Sequence, residues 1–213
     1  GSRALINGFL AESYIRIDII MLGVFVSDRD VGIYSFAALF IEGLFQVPVV
    51  FRTLANPELA RLLSVDDKLA TGKFCRKVAV MSLGVFVLAA AGVLVVYPFL
   101  GPYFPDDLVT LSHPVLLVLI GGLVIYSLMI PMDYIVLQGG QPGRQSVLMT
   151  FNVTINAALN LALIPFFGLY GACTATAISF VVASFAINAA TWKWLGFKGG
   201  VLFYGTPLAR PAE

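Results

Sequence analysis

From Gln145 to Trp192 the chain runs 48 residues without an Asp, Glu, Lys or Arg. About 20 mostly apolar residues suffice for a helix to cross the hydrocarbon of a bilayer, so this run is long enough for two crossings. Its middle, Pro165-Phe-Phe-Gly-Leu-Tyr-Gly171, carries turn residues. The pattern predicts a tight helical hairpin with spans at 145–167 and 171–194. Charge-free stretches also predict spans at 78–100 and 114–137. Residues 32–54 read as another span, interrupted by Glu42 and Arg52, with a kink at Pro48. A first span at 4–26 contains Glu12, Arg16 and Asp18 among many apolar neighbours.

The composition fits this reading. Only 12% of the 213 residues are charged, against about 25% in soluble domains, and the mean hydropathy is +0.93. In water such a chain would expose apolar patches that soluble proteins avoid. The expected fold is therefore all-α: a polytopic membrane bundle of six transmembrane helices over residues 1–198, with a cytoplasmic tail at 199–213. Residues 57–77 read as a short surface helix connecting the second and third spans.

Lys and Arg set the orientation, because cytoplasmic loops collect them. With six crossings, eleven lie on one side: Arg3, Arg52, Arg61, Lys68, Lys73, Arg76, Lys77, Arg144, Lys193, Lys198 and Arg210. Arg29 stands alone on the other. Both termini are expected in the cytoplasm of a multi-pass cell-membrane protein. A five-helix arrangement would keep the same bias, ten against three. Trp192 and Trp194 fall at the basic end, and Tyr97, Phe99, Tyr103 and Phe104 at the other, as interfacial aromatic belts do. Cys75 and Cys173 fall near opposite faces, roughly 30 Å apart, too far to bridge.

Several function classes lose support here. The basic residues form no groove for nucleic acid. Gly139-Gly140-Gln141-Pro142-Gly143 lacks the Lys-Ser/Thr of a phosphate loop. The single histidine, His113, offers neither a metal cluster nor a triad. No metal site or cofactor is expected beyond a coupling proton or sodium ion, and no enzyme. The chain opens on Gly1-Ser2 without a signal peptide and reads as a fragment.

The informative residues are charges at membrane depth, each costing about 2.5–3.5 kcal/mol when ionised at a helix centre. Arg16, Asp18 and Glu42 are expected near the midplane. Glu12 and Arg16, four apart, share a helix face, and Glu42 is the natural second partner of Arg16. Asp18 points nearly the opposite way from Arg16. Two readings stay open: a self-neutralising structural network, or a substrate or coupling-ion site. Asp133 reads as an interfacial acid. Asn152, Asn156 and Asn160 form a polar stripe, suited either to interhelical hydrogen bonding or to hydroxyl recognition from a cavity wall. Gly171, Ala175, Ser179 and Ala183 make a small-residue ladder for close packing.

Five segments carry a resemblance to a known family. They are Arg16-Ile-Asp-Ile-Ile-Met-Leu-Gly23, Asp30-Val-Gly-Ile-Tyr-Ser-Phe-Ala37, Asn56-Pro-Glu-Leu-Ala60, Asn156-Ala-Ala-Leu-Asn-Leu-Ala-Leu-Ile-Pro165, and Gly168-Leu-Tyr-Gly-Ala-Cys-Thr-Ala-Thr-Ala-Ile-Ser179. In their order and spacing they resemble lipid-linked oligosaccharide flippases, the polysaccharide export proteins of the multidrug/oligosaccharidyl-lipid/polysaccharide exporter superfamily. The resemblance is to the second of two six-helix lobes around a central cavity, which implies a missing N-terminal lobe or a second chain as partner. It also implies a polyprenyl-pyrophosphate-linked oligosaccharide as substrate, in contact with membrane lipids. On that basis Arg16 would attract the pyrophosphate, and Asp18 or Glu42 would carry the coupling ion. A multidrug-type cation antiporter, a peptidoglycan-lipid flippase and a non-transporting scaffold subunit are the alternatives.

Overall fold

The computed structural model describes residues 18–205 apart from residue 106, so Glu12 and Arg16 lie outside the described residues. Helix α1 (18–25 in its described part) leads through a short turn into α2 (Asp28–Ser64). Ser27 caps α2 by accepting from the Asp30 N–H, and Asp28 and Asp30 sit in the first turn, where the helix end favours negative charge.

Helix α2 is longer than the sequence predicts. It passes through Pro48 and Pro57 and reaches Ser64, only three residues before α3 (Lys68–Val96). The connector is thus a continuation of α2 followed directly by α3, not a separate surface helix over 57–77. An internal proline costs roughly 3 kcal/mol, but Leu59 and Leu62 are buried against the bundle and hold the last turns in place. Glu58 and Arg61 pair across the exposed side at 2.6 Å, and the guanidinium holds the Glu58 carboxyl below its ordinary range.

A 3-10 segment (Tyr97–Tyr103) turns the chain into α4 (Leu108–Ser127). Beyond Ser127 the expected span continues only as a 3-10 turn (Ile130–Met132) and the short α5 (Ile135–Gln138). Pro131 removes a donor there. Gln145, fully buried, ties the irregular stretch down: its Oε1 accepts from the Leu137 N–H at 3.3 Å and its Nε2 donates to the Asp133 carbonyl at 2.8 Å.

Helix α6 (Pro142–Leu195) is two spans joined at a kink. Fifty-four residues of straight helix would reach about 81 Å, far beyond a bilayer core. Gly168, at φ 53 and ψ −129, breaks the helix in a conformation that only glycine adopts without strain. The two arms then close tightly, since a Cβ at Gly171 would collide with the Leu163 carbonyl. The whole ladder Gly171, Ala175, Ser179 and Ala183 is buried.

Helix α4 sits in the middle, against α2 and α6. Val115, Leu116, Leu119 and Leu123 are fully buried, and Gly122 lies where a side chain would strike the Ala177 backbone. Outward faces are apolar, as at Val24, Leu88 and Phe166. Among the described residues four helices, counting the kinked α6 as one, are long and apolar enough to cross a membrane. The chain is an all-α, multi-pass membrane bundle. After Gly196 ends α6, Phe197 and Val201 are buried and Arg76 donates to the carbonyls of Leu202 and Tyr204, both at 3.1 Å. Residues 199–205 therefore fold beneath the bundle. Cys75 and Cys173 are free and buried.

Candidate functional site

Asp18 is 2% exposed, and its carboxylate is ringed by three neutral donors from three other helical segments. Thr176 Oγ1, on the second arm of α6, donates to Oδ2 at 2.6 Å. Asn160 Nδ2, on the first arm, donates to Oδ1 at 2.6 Å. Tyr34 OH, on α2, donates to Oδ2 at 3.2 Å and lies 3.3 Å from Thr176 Oγ1. Among the described residues no cation pairs with Asp18.

The sequence builds this meeting point through the hairpin. Asn160 and Thr176 stand eight residues on either side of Gly168, so folding at the kink brings them to one level. Asp18 is eight residues before the turn at 26–27 and Tyr34 six after the start of α2. At 1.5 Å per residue the cage lies about 9–12 Å from the helix ends at the sparsely charged face. That is nearer the sparsely charged face than the midplane depth expected from sequence.

The cage opens onto a narrow cleft of about 30 Å³, lined by Asp18, Tyr34, Ala38, Ile41, Glu42, Phe45, Leu119, Thr176 and Phe180. Glu42 lies about 12 Å deeper than Tyr34 along α2, on the same cleft-facing side. Two carboxylates thus share a mainly apolar cleft. Asn156 supports Asn160, its Oδ1 and its backbone carbonyl accepting from Asn160 Nδ2 at 3.2 and 3.1 Å. Asn152 continues the stripe one turn further and makes no contact with Asp18. Among the described residues, the buried Asn152 Oδ1 and Asn160 Oδ1 have no hydrogen-bond partner.

The structure therefore brings Asp18, Asn160 and Asn156 together and puts Glu42 on the same cleft. Tyr34 and Thr176 were not singled out as site residues from the sequence. A hydroxyl in a mostly apolar span is the available signal, and it is a common one.

A second polar cluster lies at the basic end. Arg52 Nη1 donates to Asp133 Oδ2 at 3.3 Å, and its guanidinium stands 4.7 Å from the centre of the Tyr134 ring. Gln138 Nε2 donates to Asn56 Oδ1 beside it. Asp133 is mostly buried and ion-paired.

The described residues form a helical membrane bundle with a caged carboxylate at the head of a cleft. In fold the chain matches the outward-facing conformation of a multidrug resistance MATE family transporter of the MOP superfamily. The TM-score is 0.76 at 19% identity, over 99% of this chain and 47% of that one. In sequence it is 27% identical over 172 residues to the probable low-salt glycan biosynthesis flippase Agl15 of Haloferax volcanii, covering 79% of this chain and 36% of that protein. No family model matches. The resemblance to flippases of the exporter superfamily is carried by sequence and fold alike. The chain spans about a third of the length of the curated relative and about half that of the solved transporter.

Proposed function

We propose that this chain forms one half of a flippase that moves a polyprenyl-pyrophosphate-linked oligosaccharide from the cytoplasmic to the outer leaflet by alternating access. Its N-terminal counterpart, or a second chain, would supply the other wall of the pathway. The similarity to a glycan biosynthesis flippase supports the substrate class, and the Asp18 cage supports the energy coupling. On this reading Asp18 takes up a proton or a monovalent cation in exchange for substrate movement.

The observation that carries the coupling is a buried carboxylate surrounded by neutral groups that can turn. An ionised carboxylate in an apolar layer is stable only when its charge is balanced. Thr176 Oγ1 lies within 3.1 Å of the Ala172 carbonyl as well as 2.6 Å from Asp18. Its hydroxyl hydrogen can swing to that carbonyl and present a lone pair towards Asp18. Asn160 Oδ1 is a buried acceptor in want of a partner. Oxygen donors of this kind suit a hard cation, and Asp18, Thr176 and Asn160 would hold it. Loading removes the acceptor that Tyr34 now uses and loosens α2, which carries the cleft-facing Ala38, Ile41 and Glu42. Arg16, two residues before Asp18 in the sequence, would engage the pyrophosphate.

The test is complementation. The gene, carried with whatever supplies its other half, is introduced into a strain deficient in its lipid-linked oligosaccharide flippase. Restored surface glycan with wild-type sequence, and its loss with Asp18→Asn at equal membrane abundance, is the expected result. A second reading, a multidrug-type cation antiporter, draws on the two carboxylates and the flanking Phe45 and Phe180 rings of the cleft, which suit an organic cation. Dye efflux without glycan rescue would favour it.

A further inference from the structure

Of the nine described cations of the basic end, four have partners of their own. Arg52 pairs with Asp133, Arg61 with Glu58 and Lys68 with Asp66, and Arg76 caps two carbonyls. Lys193 and Arg144, like Lys73, Lys77 and Lys198, have no carboxylate within ion-pair reach among the described residues, and these two stand beside an apolar groove. Arg144 donates to Gln141 Oε1 at 2.6 Å and stands 5.9 Å from the Trp194 ring centre.

These two cations flank the mouth of a groove between the arms of α6. The groove is open along one side and has a volume of about 250 Å³, and Lys193 and Trp194 both line it. Its walls are Val147, Phe151, Ala186 and Ala189, small residues facing larger ones, with almost no polar atom exposed inside. Arg144 lies three residues before Val147, one helical turn towards the basic end, on the same helix face.

We infer that this groove is a binding site for an anionic glycerophospholipid. One acyl chain lies between Phe151 and the alanines, the phosphodiester rests between Lys193 and Arg144, and the Trp194 ring sits at the boundary. An apolar slot ending in two uncompensated cations and an interfacial tryptophan is complementary to that lipid class in both shape and charge. A zwitterionic lipid would bring its own cation to the same place and be held less well.

Trp192 and Trp194 are the chain's two tryptophans, so Trp192→Phe leaves Trp194 as the reporter. This variant is reconstituted in phosphatidylcholine vesicles with increasing dibrominated phosphatidylglycerol or dibrominated phosphatidylcholine, and Trp194 quenching is read. The phosphatidylglycerol is expected to bind more tightly, with the preference falling about fivefold for each of Lys193→Gln and Arg144→Gln. Lys193→Arg should retain it. Ala186→Leu, which fills the slot, should weaken quenching by both lipids, with circular dichroism confirming unchanged helix content. Equal quenching by the two lipids, or a preference indifferent to both charge removals, overturns the site. So does an absence of quenching by either lipid, which would mean that protein covers the groove.

Discussion

Asp18 and Asp133 are both aspartates buried by the same bundle, and the fold treats them in opposite ways. Asp133 receives a guanidinium at 3.3 Å. Asp18 receives two hydroxyls and an amide. The first arrangement is a closed ion pair that joins α2 to the irregular stretch after α4. The second offers no cation among the described residues, so an ionised Asp18 would need its charge balanced from elsewhere. Removing one member of a buried pair strands the other, which makes the Arg52–Asp133 contact structural. A carboxylate held by neutral donors can gain and lose a small cation without stranding anything. On the proposed function, the same residue type serves as a rivet at one end of the bundle and as an exchangeable site nearer the other.

The sharpest way to break this contrast is Asp18→Asn. The amide keeps the volume and can hydrogen bond to the same neighbours, so the protein should still reach the membrane and melt close to the wild type. Export should fall by about 100-fold, the upper range of a coupling free energy. Glycan appearance at the cell surface, normalised to protein abundance, measures it. Next in size is Arg52→Ala, which should cost about 2 kcal/mol of stability by leaving Asp133 unpaired. Arg52→Ala combined with Asp133→Asn should cost less than the two single changes added together, read from thermal unfolding in a double-mutant cycle. Equal behaviour of Asp18→Asn and Arg52→Ala in both assays would erase the distinction.

Smaller changes sharpen it. Thr176→Val keeps the shape and removes the shortest hydroxyl contact to Asp18, and should weaken cation dependence by about tenfold, or ~1.4 kcal/mol. Tyr34→Phe removes a longer bond and should shift the same dependence by only about threefold, near the ~0.6 kcal/mol average for polar contacts between membrane helices. Titrating transport against sodium and proton concentration in each variant would rank them. The reverse order would relocate the cation away from Thr176.

Parts of this contrast can be read from the residues themselves. The hairpin follows from 48 charge-free residues broken at Pro165–Gly171, and Gly168 is where it bends. Asp18 and the stripe Asn152, Asn156 and Asn160 announce themselves as polar groups in an apolar context, and two of those three asparagines do serve Asp18. Tyr34 and Thr176 do not announce themselves. Thr176 is 158 positions from Asp18 in the chain, and a threonine in a membrane helix is readily satisfied by the carbonyl four residues before it, as Ala172 does here. Nothing local distinguishes that role from a place in the cage. Arg52 and Asp133 were legible as residents of the same end, but their pairing depends on how α2 passes the stretch after Ser127. The uninterrupted run of α2 through Pro57 was hidden for a related reason: the burial of Leu59 and Leu62 that offsets the proline is a tertiary fact.

The most direct measurement is the melting temperature of the purified protein over a grid of sodium concentration and pH, for the wild type and Asp18→Asn. A cation bound in the Asp18 cage should stabilise the wild type by about 2.7 kcal/mol at a concentration 100 times its dissociation constant. The variant should show none of that gain. If the bound species is the proton, the same gain comes on acidification, with sodium inert. A wild type and an Asp18→Asn variant that respond identically to both ions would contradict the account.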